Sequence, residues 1–96
     1  MVHVISRKRL LDAANKHREL SGPLDAWYRI AKSARWKSWE GIRSTFPAAD
    51  GVGKYTIFNL KGNNYRLITE INYAGQRVYI RFVLTHAEYD KGAWKQ

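Results

Sequence analysis

Within six positions near the end of the chain stand His86, Glu88, Tyr89, Asp90 and Lys91. An imidazole exchanges protons near neutral pH, and a phenol can donate or orient one. Upstream, Arg66 interrupts the apolar run Tyr65, Leu67, Ile68, and Arg81 interrupts Tyr79, Ile80, Phe82, Val83. Two arginines on neighbouring strands could clamp a phosphate, because a guanidinium donates in a planar fork. They could equally pair with Glu70 or Glu88, or lie solvated on the sheet. Lys61 and Lys91 add further cations. Together these residues fit RNA cleavage by attack of the 2′-hydroxyl on the adjacent phosphate. That reaction needs a proton acceptor, a proton donor for the leaving 5′-oxygen and cations for the developing charge. The plainer reading of positions 86–91 is a polar tail behind a strand.

Other chemistries find less in the chain. No two of the three histidines have metal-ligand spacing, and there is no Asp/Glu cluster for two-metal work. Lys61-Gly62-Asn63-Asn64 has one glycine and precedes a strand, so it is not a phosphate-binding P-loop. The serines lack a nucleophile-elbow context. Neither metal nor cofactor is expected.

The elements that must carry these side chains read as follows. Met1 to Ile5 is a short first strand. Ser6 is a candidate N-cap for a helix reaching about Leu20, with Leu10, Ala13, Ala14 and His17 as its buried stripe. Ser21-Gly22-Pro23 breaks that helix, and Pro23 suits the first turn of the next. Leu24, Trp27, Tyr28, Ala31 and Ala34 recur at three and four, giving a second amphipathic helix. Ser38 could cap a short helix ended by Pro47. Pro47 to Gly53 reads as loop, with Asp50-Gly51 a turn signal. Tyr55–Leu60 sets Phe58 and Leu60 against Ile57 and Asn59. Tyr65–Tyr73 follows the turn, and the last strand alternates Val78, Ile80, Phe82 and Leu84 against Arg77, Tyr79, Arg81 and Val83. Short connections imply an antiparallel meander. The expected fold is α+β: an N-terminal strand, a helical hairpin, then a β-meander packed on the helices. The opposite sheet face would be free for function.

Bulk properties narrow the class. A chain of 96 residues with 45% hydrophobic content favours one domain over 1–96. It has no cysteine, and no apolar run approaches the roughly 20 residues of a membrane span. Arg7, Lys8 and Arg9 follow the short apolar start, the reverse of a secretory signal. A soluble, cytoplasmic protein is expected. The net charge of +9, from 17 basic and 8 acidic residues, favours a polyanionic partner, nucleic acid first.

Over nearly its whole length the chain resembles the HigB family of type II toxin–antitoxin toxins, in the RelE-like superfamily of messenger-RNA interferases. The resemblance rests on Val4-Ile5-Ser6, the Trp27-Tyr28 helix, Phe46-Pro47-Ala48-Ala49-Asp50 and the segment Ile57 to Ile68. It is strongest from Tyr79 to Lys91. It implies a compact RelE-like fold and metal-independent messenger-RNA cleavage, commonly on the translating ribosome. It also implies inhibition by a cognate helix-turn-helix antitoxin, HigA-like, through which alone operator DNA is bound. On this resemblance the strand arginine falls on Arg66, the C-terminal tyrosine on Tyr89, and the basic residue after the last strand near His86. His86 would transfer a proton and Tyr89 would orient or activate the 2′-hydroxyl. Arg66, Arg81 and Lys61 would hold the phosphate, with Lys91 and Asn59 contacting RNA. One departure stands out: RelE-type toxins carry lysines in the strand before Arg66, where this chain has Ile57 and Asn59. The rival readings are a non-catalytic RNA- or protein-binding module of the same fold, and a small assembly subunit.

Overall fold

A computed structural model describes residues 2–62 and 64–95. Met1 of the expected first strand and Asn63 of the expected turn lie outside the described residues. Strand β1 (His3–Ile5) leads to helix α1 (Arg7–Lys16), a 3₁₀ turn (Arg18–Leu20), α2 (Ser21–Ser33) and α3 (Trp39–Thr45). Strands β2 (Asp50–Val52), β3 (Tyr55–Leu60), β4 (Tyr65–Asn72) and β5 (Arg77–Thr85) follow, then helix α4 (His86–Lys91) and a 3₁₀ turn (Ala93–Lys95). The sheet order is β1-β5-β4-β3-β2. The β3–β4–β5 meander is antiparallel, as the short connections imply, and β1 joins β5 in parallel. None of the described helices is long and apolar enough to cross a membrane.

The expected alternation places the helices well. Leu10, Leu20, Leu24, Trp27 and Ala31 are buried against Phe58, Leu60, Leu67, Val78 and Ile80. Phe58 is the aromatic centre: Phe46, Trp27 and Trp36 ring centroids lie 5.0, 5.4 and 6.2 Å from it. A side chain of that size, fully buried, contributes roughly 1.5–3 kcal/mol. The segment from Trp36 to Phe46 thus packs over the hairpin and the sheet together.

Four local expectations are corrected. The first helix ends at Lys16, because His17 turns to φ −127° and ψ 91°. Its ring lies 3.4 Å from the Tyr65 hydroxyl, which donates to Glu19 Oε2 at 2.8 Å. Ser21-Gly22-Pro23 therefore opens α2 instead of breaking a helix, and Pro23 sits in the first turn, where no N–H partner is needed. Ser6 precedes α1 in a left-handed conformation (φ 72°) and makes no side-chain cap. Asp50-Gly51 is part of strand β2, not a turn. The chain reverses at Gly53 (φ 58°), a conformation costly for residues with a Cβ, so Val52 faces Tyr55.

The last strand differs in a way that matters for the site. A β-bulge between Ile68 and Thr69 leaves Arg81 without a partner position: Ile68 faces Phe82, while Thr69 faces Ile80. Beyond the bulge the alternation flips. Val78, Ile80 and Val83 pack on the helix side, whereas Leu84 joins the other face and Phe82 is exposed. That other face is not free. Tyr55, Ile57 and Ile68 are buried there under Trp94, with Leu84 and Tyr89 packed alongside. Positions 86–91 form α4 and not a polar tail. Thr85 caps it, accepting from the Glu88 N–H at 3.2 Å while Glu88 accepts from the Thr85 N–H at 2.9 Å.

Candidate active site

Tyr65 and Arg66 are adjacent, so they point to opposite faces of β4. Tyr65 goes to the helices and Arg66 to the face under α4. Arg66 stands across from Asn59 on β3 and Leu84 on β5. Only 8% of Arg66 is exposed, a deep position for a charge that water would otherwise solvate. Its Nη1 donates to the Tyr65 carbonyl at 3.2 Å, and its guanidinium carbon lies 5.3 Å from the centre of the Tyr89 ring.

Tyr89 is held from both sides. Its ring stacks on Trp94, with centroids 5.0 Å apart and planes 13° from parallel. Trp94 donates its indole N–H to the Tyr89 carbonyl at 2.8 Å, and its other edge meets Tyr55. The phenol titrates above the usual tyrosine range. Burial is the largest cause, the Asp50 and Asp90 charges push the same way, and Arg66 opposes them. Tyr89 therefore stays a protonated phenol at neutral pH, able to donate a hydrogen bond but poor as a base.

Around Arg66 and Tyr89 opens a cleft of about 330 Å³. Arg43 from α3, the segment Pro47 to Asp50, and Ile57 and Asn59 from β3 complete its lining. Two arginines, an asparagine, a tyrosine and an aspartate line this single small volume, and the Arg43 guanidinium lies 5.8 Å from the centre of the Trp39 ring. An anion would meet planar donors there, with tyrosine's hydroxyl beside them.

The site residues expected from sequence divide accordingly. Arg66, Asn59 and Tyr89 come together in the cleft. His86 opens α4, one turn before Tyr89, and is not among the cleft's lining residues. Its Nδ1 lies 2.8 Å from Asp90 Oδ2. The carboxylate only accepts, so this contact assigns the Nδ1 proton and leaves Nε2 for exchange. Arg81 is not beside Arg66, as the two-arginine clamp would require. Its Nε pairs with Glu70 at 2.9 Å, and its head lies over Tyr79. Of the two acidic partners open to it in sequence, Glu70 is the one it takes. Lys61 sits exposed at the β3–β4 turn and Lys91 is exposed in the last turn of α4.

Sequence reasoning missed Arg43, Asp50 and Trp94. Arg43 is one basic residue among 17, and nothing in its own helix marks it. Asp50 did carry a signal, standing in Phe46-Pro47-Ala48-Ala49-Asp50, but reads locally as half of a turn. Trp94 lies past the last periodic element. Among the described residues no group of three or more His, Cys, Asp or Glu is placed to hold a metal ion.

Comparison with known proteins shows the family. The profile of a family described as HigB_toxin, RelE-like toxic component of a toxin-antitoxin system, matches residues 20–92. The chain is 34% identical over 92 residues to the mRNA interferase toxin HigB of Escherichia coli strain K12, covering 93% of this chain and 88% of that protein. The mRNA interferase HigB of Shigella flexneri matches to the same extent. That of Escherichia coli O6:H1 is 31% identical over 93 residues, covering 94% of this chain and 90% of its own. A deep-set arginine under a stacked tyrosine, on a sheet backed by a helical hairpin, is thus found in a chain that belongs to the HigB family of RelE-like toxins, the toxic components of toxin–antitoxin systems.

Proposed function

We propose that this protein is an mRNA interferase that cleaves messenger RNA on the translating ribosome, in the cytoplasm, and so arrests translation. The 2′-hydroxyl attacks the adjacent phosphorus without a metal ion, and guanidinium groups carry the transition-state charge. The observation that carries this reading is the cleft pairing buried Arg66 with Tyr89, lined also by Asn59. Arg66 holds the scissile phosphate. Tyr89, fixed by Trp94, orients the 2′-hydroxyl. His86, one turn earlier on α4, transfers a proton. Lys61, Arg81 and Lys91 follow the RNA backbone outside the cleft, and Asn59 contacts the nucleotide beside the phosphate. A helix-turn-helix antitoxin neutralises the toxin and brings the pair to operator DNA.

The test is induced expression followed by primer extension on cellular messenger RNA, with and without the antitoxin of its operon. Growth arrest and discrete cleavage, both relieved by the antitoxin, are expected. Purified toxin should also cleave programmed ribosomes' messenger RNA in EDTA once ribosome integrity is controlled for. Binding of RNA or antitoxin with no cleavage and no arrest would make the protein a non-catalytic module of the same fold.

A further inference from the structure

The cleft lining holds a side chain that the roles above leave unused. Asp50 begins edge strand β2, opposite Ile57. Asp50 lines the same cleft as Arg43, Asn59, Arg66 and Tyr89, and its charge is close enough to act on the Tyr89 phenol. The Gly51 N–H donates to its Oδ1 at 2.9 Å, which steadies the group and leaves Oδ2 for another partner.

Transfer through the 2′-oxygen requires an acceptor for its proton. Arginine remains protonated throughout the accessible pH range, and an asparagine amide does not titrate. Tyr89 is kept as a neutral phenol by its burial, so it donates. His86 opens α4 outside the lining, with Nδ1 engaged by Asp90, and its Nε2 takes the other proton transfer, at the leaving oxygen. Among the cleft's lining residues Asp50 alone carries a carboxyl group, the chemistry that can accept this proton.

We propose that Asp50 is the general base of the cleavage reaction, taking the 2′-hydroxyl proton at Oδ2 from a nucleotide whose phosphate lies on Arg66 and Arg43. This rests on the mRNA-interferase reading. The proton passes to Asp50 as the 2′-oxygen–phosphorus bond forms. The phosphorus–5′-oxygen bond breaks, and the leaving oxygen takes a proton from His86. The products are a 2′,3′-cyclic phosphate and a 5′-hydroxyl, and Asp50 then releases its proton to water. The two cations fix the phosphate between the groups, and their charge is balanced in part by the carboxylate.

The experiment is single-turnover cleavage of a synthetic messenger RNA on programmed ribosomes, with wild type, Asp50→Asn and His86→Ala. Each is assayed on an ordinary linkage and on one whose leaving 5′-oxygen is replaced by sulfur. A thiolate departs without a proton, so loss of the acid is rescued and loss of the base is not. Asp50→Asn is isosteric and keeps an acceptor for Gly51, and circular dichroism verifies its fold. The expected result is a drop of about 10²–10⁴ in the cleavage step for Asp50→Asn on both linkages. His86→Ala should recover on the sulfur linkage. Wild-type rate for Asp50→Asn, rescue of Asp50→Asn by sulfur, or a defect confined to KM overturns the proposal while wild-type cleavage leaves the interferase reading standing. Wild-type protein that cleaves neither RNA overturns both.

Discussion

Tyr89 offers a clean separation of chemistry from packing, because its ring and its hydroxyl do different things. The ring stacks on Trp94 and faces the Arg66 guanidinium. Such contacts contribute about 0.5–1.5 kcal/mol for an aromatic pair and up to about 2 kcal/mol for a cation–π contact whose guanidinium is buried. Tyr89→Phe keeps both, so its stability should stay within about 0.5 kcal/mol of wild type. Tyr89→Ala removes both and uncovers the small core under Trp94, so it should unfold roughly 2.5–3.5 kcal/mol more easily. For a domain of this size, each kcal/mol moves the midpoint by about 4–8 °C. Cleavage should order the variants differently. Loss of a hydroxyl that positions the nucleophile should cost about 10²–10⁴ in rate, or some 2.7–5.4 kcal/mol in the barrier. Thermal unfolding by circular dichroism and single-turnover cleavage on ribosomes give the two readouts. Tyr89→Phe that is as stable as wild type and equally fast would refute the role given to the phenol. Tyr89→Phe that is slow only because it is unfolded would refute the packing analysis.

Three further outcomes are expected. Arg66→Gln should weaken binding of a noncleavable RNA and lower the slope of log affinity against log salt by about 0.7, the share of one single-strand phosphate, in a fluorescence titration. An unchanged slope would mean that Arg66 meets no phosphate. At the start of α4, Thr85→Ala should cost about 1 kcal/mol in thermal melts. Glu88 titrates below the usual carboxylate range, chiefly because it accepts the Thr85 N–H. Its folded pKa is below its unfolded one, so its contribution is present above the unfolded value and is lost as pH falls through the folded one. The stability gap between wild type and Glu88→Ala should therefore close on acidification, and a gap that persists in acid would contradict the cap.

Much of the scaffold was legible because burial follows period. The helical spacing of Leu24, Trp27 and Ala31 and the alternation of Phe58 and Leu60 against Ile57 and Asn59 both appear in the fold. Arg66 and Tyr89 stood out as polar groups at positions that a plain strand and tail do not require. What stayed hidden depended on contacts distant in sequence. The break at His17 is associated with Tyr65, 48 residues away. Strand β2 is three residues long and exists through its pairing with β3, so a local reading finds only a turn. Arg43 and Asp50 become neighbours of Arg66 only once α3 and β2 are placed along one side of the sheet.

The bulge links the fold to the choice of cations in the site. Ile80 and Val83 both face the helices, although a spacing of three in a regular strand sends two side chains to opposite faces. One extra residue must be absorbed between them, and it is Arg81. Were β5 regular from Thr85 backward, Arg81 would stand opposite Thr69 and point into the apolar layer that Leu67 and Val83 share. Burying an unpaired guanidinium there costs several kcal/mol. With the bulge, Arg81 turns outward to Glu70, and its carbonyl, displaced from the ladder, accepts from the Arg9 guanidinium. On the Thr85 side of the bulge the ladder is regular, and it sets Leu84, an apolar neighbour, beside Arg66. Arg66 is thus left with Asn59 on one side, Leu84 on the other and Tyr89 overhead. On the proposed reading, a phosphate at Arg66 would meet a guanidinium set by the sheet, and the second arginine would come from α3, not from the adjacent strand.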